Sequence, residues 1–329
     1  MEIKIAEHSG YCFGVKRAIN IAEDTLKKYR PCNKRIFTLG PIIHNPGVVE
    51  ELKKKGIIVA KSKEEINSGD ILIIRSHGMP HQIVKELEDK GVMIIDATCP
   101  FVKRAQEKAK MLGKNGYFVV ILGNKNHPEV KGIAESIQVN MKVNEVSNGK
   151  KSEYSIATSR DSNDYEDDEK KRKEKFEKRK GANFIVVEDE SDLEQISPNQ
   201  KIGVVAQTTQ PMEKFKFLVN KLLEKGKEIL VVNTICDTTK KRQISTRNLA
   251  KSVDLMLIVG GKNSANTTHL AEISKKCNPR TFHIENYREI DKNWLKGVKK
   301  IGISGGASTP LKDVMEVRKF VEGIAPTDC

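Results

Sequence analysis

The chain has no C-x-x-C pair among its six cysteines, only 17 aromatic residues in 329 (10 Phe, 6 Tyr and 1 Trp), and no apolar run near the ~20 residues a membrane span needs. The missing C-x-x-C excludes a zinc ribbon, and six cysteines in so long a chain do not make a small disulfide scaffold. Thiols in a reducing compartment are the ordinary reading. The shortage of aromatics leaves few platforms on which bases could stack, and no zinc-finger or RNA-recognition motif is present. Nucleic acid is therefore a weak candidate partner, although 58 Lys+Arg against 44 Asp+Glu give a formal charge of +14. A nicotinamide dehydrogenase is disfavoured too. Gly302-Ile303-Ser304-Gly305-Gly306 does not supply G-x-G-x-x-G, and the stretch closes on Pro310. Strand-like Ile3–Ala6 opens the chain, which predicts no leader in this form. The length suits two or three domains with sizeable cores.

What is present is a threefold repeat. Cys12-Phe-Gly-Val-Lys16-Arg17, Cys99-Pro-Phe-Val-Lys103-Arg104 and Cys236-Asp-Thr-Thr-Lys240-Lys241 all read C-x-x-x-K-K/R. A β-branched stretch precedes each and a helical pattern follows, so each Cys is expected between a strand and a helix. A second triple follows at strand ends: Gly40-Pro-Ile-Ile-His44, Gly123-Asn-Lys-Asn-His127-Pro-Glu129, and Gly260-Gly-Lys-Asn-Ser264-Ala-Asn266. Its key residue lies 32, 28 and 28 positions after the Cys (44−12, 127−99, 264−236). The third triple is Ser76-His77-Gly-Met-Pro80, Gln207-Thr208-Thr209-Gln-Pro211 and Ala307-Ser308-Thr-Pro310. The cysteines are 87 and 137 residues apart (99−12, 236−99), and the longer gap contains a Lys/Asp/Glu/Ser-rich insertion, about 148–181. The expectation is an α/β protein of three repeat-related units, each with parallel strands joined by helices, and if they face one another the turn residues converge on one central cleft. Ligands of such units collect at the carboxyl ends of the strands.

Three cysteines at one point can hold a metal or cluster and leave one coordination position free. Spacing alone leaves zinc and iron-sulfur both open. Cys32, Cys277 and Cys329 have no repeat partner and read as ordinary thiols. His44, His77, His127, Ser264, Asn266 and Ser308, with Thr208 and Thr209, form a donor set suited to a phosphate or diphosphate. His8, His81, His269 and His283 fall outside the triples and read as structural. Glu129 is the one carboxylate among these turn residues, and either a proton donor or a plain helix-start acid.

With these residues on the page, GYCFGVKRA, GPIIHNP, RSHG, DATCP, GNKNHPEV, AQTT, NTICDTT, KNSAN and GGAS resemble the 4-hydroxy-3-methylbut-2-enyl diphosphate reductase family, in the family's order over residues 10–310. The resemblance implies a trefoil of three pseudo-threefold-related α/β lobes, parallel sheets flanked by helices, around a central cleft with one 4Fe-4S cluster on Cys12, Cys99 and Cys236 and one open iron. It implies a substrate diphosphate held by His44, His77, His127, Ser264, Asn266 and Ser308. Catalytic roles fall to Glu129, Thr208 and His127. The implied reaction is the last step of the methylerythritol phosphate route, in which two electrons and two protons remove an allylic hydroxyl to give isopentenyl and dimethylallyl diphosphate. A ferredoxin or flavodoxin would be the electron donor, with no nucleic acid and no membrane involved, and the protein would be a monomer or weak dimer. The competing reading is another three-lobed 4Fe-4S enzyme, a quinolinate-synthase-like dehydratase.

The expected lobes are 1–98, completed by 311–329; 99–233, carrying the insertion; and 234–310. The insertion's composition points to an apicomplexan source and an apicoplast stroma, with the bacterial cytoplasm as the alternative. Residues 151–180 hold 10 Lys/Arg and 9 Asp/Glu, so about +13 of the +14 lies elsewhere. That charge suits an anionic substrate and an acidic electron donor.

Overall fold

A computed structural model describes residues 1–138 and 183–324. The predicted insertion and Cys329 lie outside the described residues.

The chain begins with β1 (Glu2–Ile5) and α1 (Phe13–Tyr29). The first sheet follows: β2 (Ile36–Leu39), α2 (Pro46–Lys55), β3 (Ile57–Ala60), β4 (Ile71–Ile74), α3 (His81–Asp89) and β5 (Met93–Asp96), in spatial order β3-β2-β4-β5. The second lobe has α4 (Pro100–Lys114), β6 (Phe118–Leu122), α5 (Pro128–Gln138), β7 (Phe184–Val187), β8 (Gln200–Ala206), α6 (Met212–Leu223) and β9 (Gly226–Val231), ordered β7-β6-β8-β9. The third has α7 (Asp237–Ala250), β10 (Leu255–Val259), α8 (Ala265–Cys277), β11 (Thr281–Ile284), β12 (Lys300–Gly305) and α9 (Leu311–Ile324), ordered β11-β10-β12-β1. All pairings are parallel. The three sheets share one strand order, as the repeat requires.

Local sequence explains the layers. Ile71–Ile74 and Leu255–Val259 are buried at every position, because inner strands of a parallel sheet have helices on both faces. Edge strand β1 instead alternates exposed and half-buried residues. Each fully buried Ile, Leu or Val contributes ~1.5–3 kcal/mol, and each sheet carries such residues into its own core.

The structure corrects the assignment of the chain ends. β1 pairs with β12, Ile3 opposite Ile301 and Ile5 opposite Ile303. Val314, Val317 and Val321 of α9 pack with Leu257, Ile301 and Ile303. Residues 311–324 therefore complete the third lobe, not the first. The reason is edge geometry: in the first sheet the position beside β4 is already taken by β5, whereas β12 has a free edge that only β1 fills.

This arrangement places every repeat cysteine at a joint. The strand before Cys12 belongs to the third sheet, while α1 after it packs Val15, Ala18, Ala22 and Leu26 on the first. Likewise β5 is in the first sheet and α4 packs on the second through Ala105, Ala109 and Leu112. β9 is in the second sheet, and α7 packs Ala250 against Met256 and Ile258 of the third.

Candidate active site

Cys12, Cys99 and Cys236 are the N-cap residues of α1, α4 and α7. All three line one cavity, of about 730 Å³ including its open mouth, and all are half-buried. Cys12 Sγ accepts the Val15 N–H at 3.4 Å. Burial pushes the Cys99 thiol up to about 11 and raises Cys12 as well, and the neighbouring sulfurs add to both shifts. For Cys12 the Val15 N–H and the Arg242 guanidinium pull the other way. Three half-buried sulfurs on one cavity, two of them with raised thiols, are suited to a cation, which deprotonates a coordinating thiol outright. The backbone is shaped around them too. A Cβ on Gly14 would lie 2.5 Å from Cys99 Sγ, so only glycine leaves that sulfur its place. Helix N-termini, sulfurs and a glycine cradle fit a cluster with three protein ligands.

Strand-end turns of all three lobes supply the rest of the lining. His44 follows β2, His77 follows β4 and His127 follows β6. Ser264 and Asn266 follow β10, and Ser308 follows β12. The three imidazoles meet: ring centroids are 4.3 Å apart for His44–His77, 5.6 Å for His44–His127 and 5.4 Å for His77–His127. Burial, with further lowering from Arg75, keeps them neutral. His44 is lowered, His77 lies well below its ordinary value, and His127 is at about 4.

Three ring nitrogens within 4.8 Å of one another could hold a metal ion. The tautomer of His127 argues against it. Its Nδ1 accepts the Glu129 N–H at 3.2 Å, so the proton of the neutral ring sits on Nε2. A metal on Nε2 would move that proton to Nδ1, donor against donor. Nε2–H is instead available as a hydrogen-bond donor. Buried atoms without partners point the same way: both ring nitrogens of His44, Nδ1 of His77, and Nδ2 and Oδ1 of Asn266. Leaving such groups unpaired costs ~1–3 kcal/mol each, so the cavity is built for a polar ligand. Ser264 caps α8 by accepting the Thr267 N–H, and Ser308 Oγ donates to the His44 carbonyl at 2.9 Å, joining the third lobe to the first.

Glu129 is 1% exposed. Its carboxylate accepts the Thr208 N–H at 2.6 Å and the Thr208 Oγ1–H at 3.0 Å. Burial outweighs those two bonds and raises it to about 7. A buried carboxyl that titrates near neutrality on a donor-lined cavity is poised for proton transfer.

All eleven residues proposed from the repeat thus line the same cavity, and Thr209 lines it as well. The register of the second triple differs from the sequence reading by one residue. The helix N-caps are Asn45 and Ser264, with His127 just before α5, so Asn45 matches His127 and His44 stands one position earlier. Neither His269 nor His283 lines the cavity: His269 Nδ1 contacts the backbone carbonyl of the lining residue Thr209 at 3.0 Å, and His283 Nε2 contacts that of Gly260 at 2.9 Å. Sequence reasoning missed Arg242, a buried lining residue of α7. Its signal was available six places after Cys236, but it is hidden in a Lys-Lys-Arg run that reads as surface.

Fold and site together define a three-lobed α/β enzyme with three cysteines beside a pocket of unpartnered polar groups. The family model described as LytB protein matches residues 3–322, and the chain belongs to that family. It is 42% identical over 324 residues to the 4-hydroxy-3-methylbut-2-enyl diphosphate reductase of Aquifex aeolicus (strain VF5), covering 98% of this chain and 97% of the relative. It is 39% identical over 322 residues to that of Geobacter sulfurreducens, covering 98% and 97%. A solved structure of (E)-4-hydroxy-3-methyl-but-2-enyl diphosphate reductase, the terminal enzyme of the non-mevalonate pathway, is 41% identical with a TM-score of 0.63, covering 98% of this chain and 100% of that one. The Plasmodium falciparum reductase structure is 26% identical with a TM-score of 0.79, covering 99% and 89%.

Proposed function

We propose that the chain is a 4-hydroxy-3-methylbut-2-enyl diphosphate reductase, which replaces the allylic hydroxyl of its substrate by hydrogen, with two electrons and two protons, and releases water. The observation that carries this reading is one cavity that combines three cysteine N-caps with unpartnered neutral donors and a carboxyl at about 7. Cys12, Cys99 and Cys236 would hold a 4Fe-4S cluster with one iron free of protein ligands, and that group would supply electrons and Lewis-acid chemistry for loss of the hydroxyl. His44, His77, His127, Ser264, Asn266 and Ser308 bind the diphosphate as neutral donors and fix the allylic end of the substrate. Thr208 holds the Glu129 carboxyl in place through both of its oxygens. Protonated Glu129 then gives up its proton within the cavity. The products are isopentenyl and dimethylallyl diphosphate.

An acidic carrier of the ferredoxin or flavodoxin type suits the exposed Lys16, Lys103, Arg104, Lys240 and Lys241, which lie about one turn into the cysteine-capped helices. The identity of 42% to a bacterial relative against 26% to the Plasmodium enzyme leaves the apicoplast reading without support, and we retain the bacterial cytoplasm. No helix among the described residues is long and apolar enough to cross a membrane.

Anaerobic reconstitution tests the reading. About four irons and four sulfides per chain, a band near 400 nm, and consumption of the allylic diphosphate with a reduced viologen are expected. A fully loaded protein that leaves this substrate unchanged would overturn it.

A further inference from the structure

Laid side by side, the three cysteine-capped helices place the residue six positions after each cysteine at an equivalent buried site. Two of these are Ala18 and Ala105, each fully buried in a lobe core. The third is Arg242, which is also buried, at 2% exposure. A charged side chain has replaced a methyl group at an interior position, and its bonding shows what it faces. Nη1 donates to the Gly305 carbonyl at 2.8 Å, at the end of β12. Nη2 donates to the Gly10 carbonyl at 2.8 Å, two residues before Cys12. Nε is buried without a partner, and no carboxylate pairs with the guanidinium among the described residues. Burial lowers it to about 10, so it stays charged at neutral pH. The acidic groups within its electrostatic reach are the thiols of Cys12 and Cys236. A buried cation without a counter-ion is costly unless an anion faces it, and Cys12 and Cys236, which line the same cavity as Arg242, would be those anions once a bound metal centre takes their protons.

We propose that Arg242 is the built-in counter-charge of the three-cysteine centre: it pins the Cys12 loop through Gly10 and favours the reduced, more negative state of the group bound there. This rests on the three cysteines being cluster ligands. Each electron added makes the centre one charge more negative, and a fixed cation in a water-poor site stabilises that state without reorganisation. Arg242 touches no substrate in this account, so it is a positioning residue.

The test uses the reconstituted wild type with Arg242→Met and Arg242→Lys. Iron and sulfide content is read first, and loss of both in the wild type would overturn the ligand assignment rather than the role of Arg242. Midpoint potentials are then read by potentiometric titration followed by electron paramagnetic resonance. A loaded R242M should favour the oxidised state at least tenfold more than wild type, about 59 mV for one electron, while R242K stays well within that. A fully loaded R242M with the wild-type potential would overturn the proposal. If R242M does not load, R242K decides. Loading at the wild-type potential supports a role for charge, whereas failure to load in a folded protein assigns Arg242 to backbone clamping alone and overturns it.

Discussion

Glu129→Gln isolates proton delivery from everything else the site does. A Gln carbonyl can still accept the Thr208 N–H, and the Thr208 hydroxyl can turn to accept from the new amide, so the local bonding is conserved. What disappears is the proton. With the carboxyl at about 7, it is about ten-elevenths protonated at pH 6 and one-eleventh at pH 8. If the protonated form delivers the proton, the wild-type rate limited by this step should fall about tenfold from pH 6 to pH 8. The sign follows from burial raising the carboxyl: the acid form is the active one and is lost as pH rises through 7. In E129Q the rate should be 10²- to 10⁴-fold lower, the usual contribution of a placed acid, and should lose that slope. The assay is single-turnover reduction of substrate by viologen-reduced protein, with iron content and substrate affinity measured alongside. An E129Q protein within threefold of wild type, or one that keeps the wild-type slope, would refute the role of Glu129.

Two further outcomes are expected. Gly14→Ala puts a methyl 2.5 Å from Cys99 Sγ, an overpacking of ~1–3 kcal/mol that displaces a ligand. Reconstituted G14A should hold less than half the wild-type iron with an unchanged circular dichroism spectrum, and full iron would count against the cradle. Asn266→Ala removes two buried amide atoms that have no protein partner. Each hydrogen bond to a charged ligand is worth ~1.5–3 kcal/mol, so the substrate dissociation constant should rise roughly 10- to 150-fold. The ligand-free variant should melt no lower than wild type, and equal loss in both measurements would make Asn266 a structural residue.

The centre was legible because its residues sit where strand meets helix, and those junctions carry sequence signals. Cys12, Cys99 and Cys236 each precede a helical pattern, and His77, Thr208 and Ser308 each lie in a turn closed by proline. The path of the chain ends was not legible. Which sheet edge β1 fills depends on which edge other strands leave open, and nothing within Ile3–Ile5 states that. The one-residue offset of His44 was hidden because composition matched it to His127, whereas the helix caps match His127 to Asn45. Arg242 was hidden for a similar reason. Exposed Lys240 and Lys241 beside it read as one charged face, and only the helix angle turns the next residue inward.

The three cysteines stand at the three crossings from one lobe to the next, so the lobes form a closed ring. Two links of that ring are covalent runs through Cys99 and Cys236. The third passes through Cys12 and is closed by the pairing of β1 with β12. Anything gripped by all three sulfurs is therefore a linchpin: a lobe that rotates away must drag one sulfur from the other two. Retention of the centre and the relative posture of the lobes become a single mechanical property. Damage to the centre, by oxygen or by substitution, would then be felt at every lobe boundary at once.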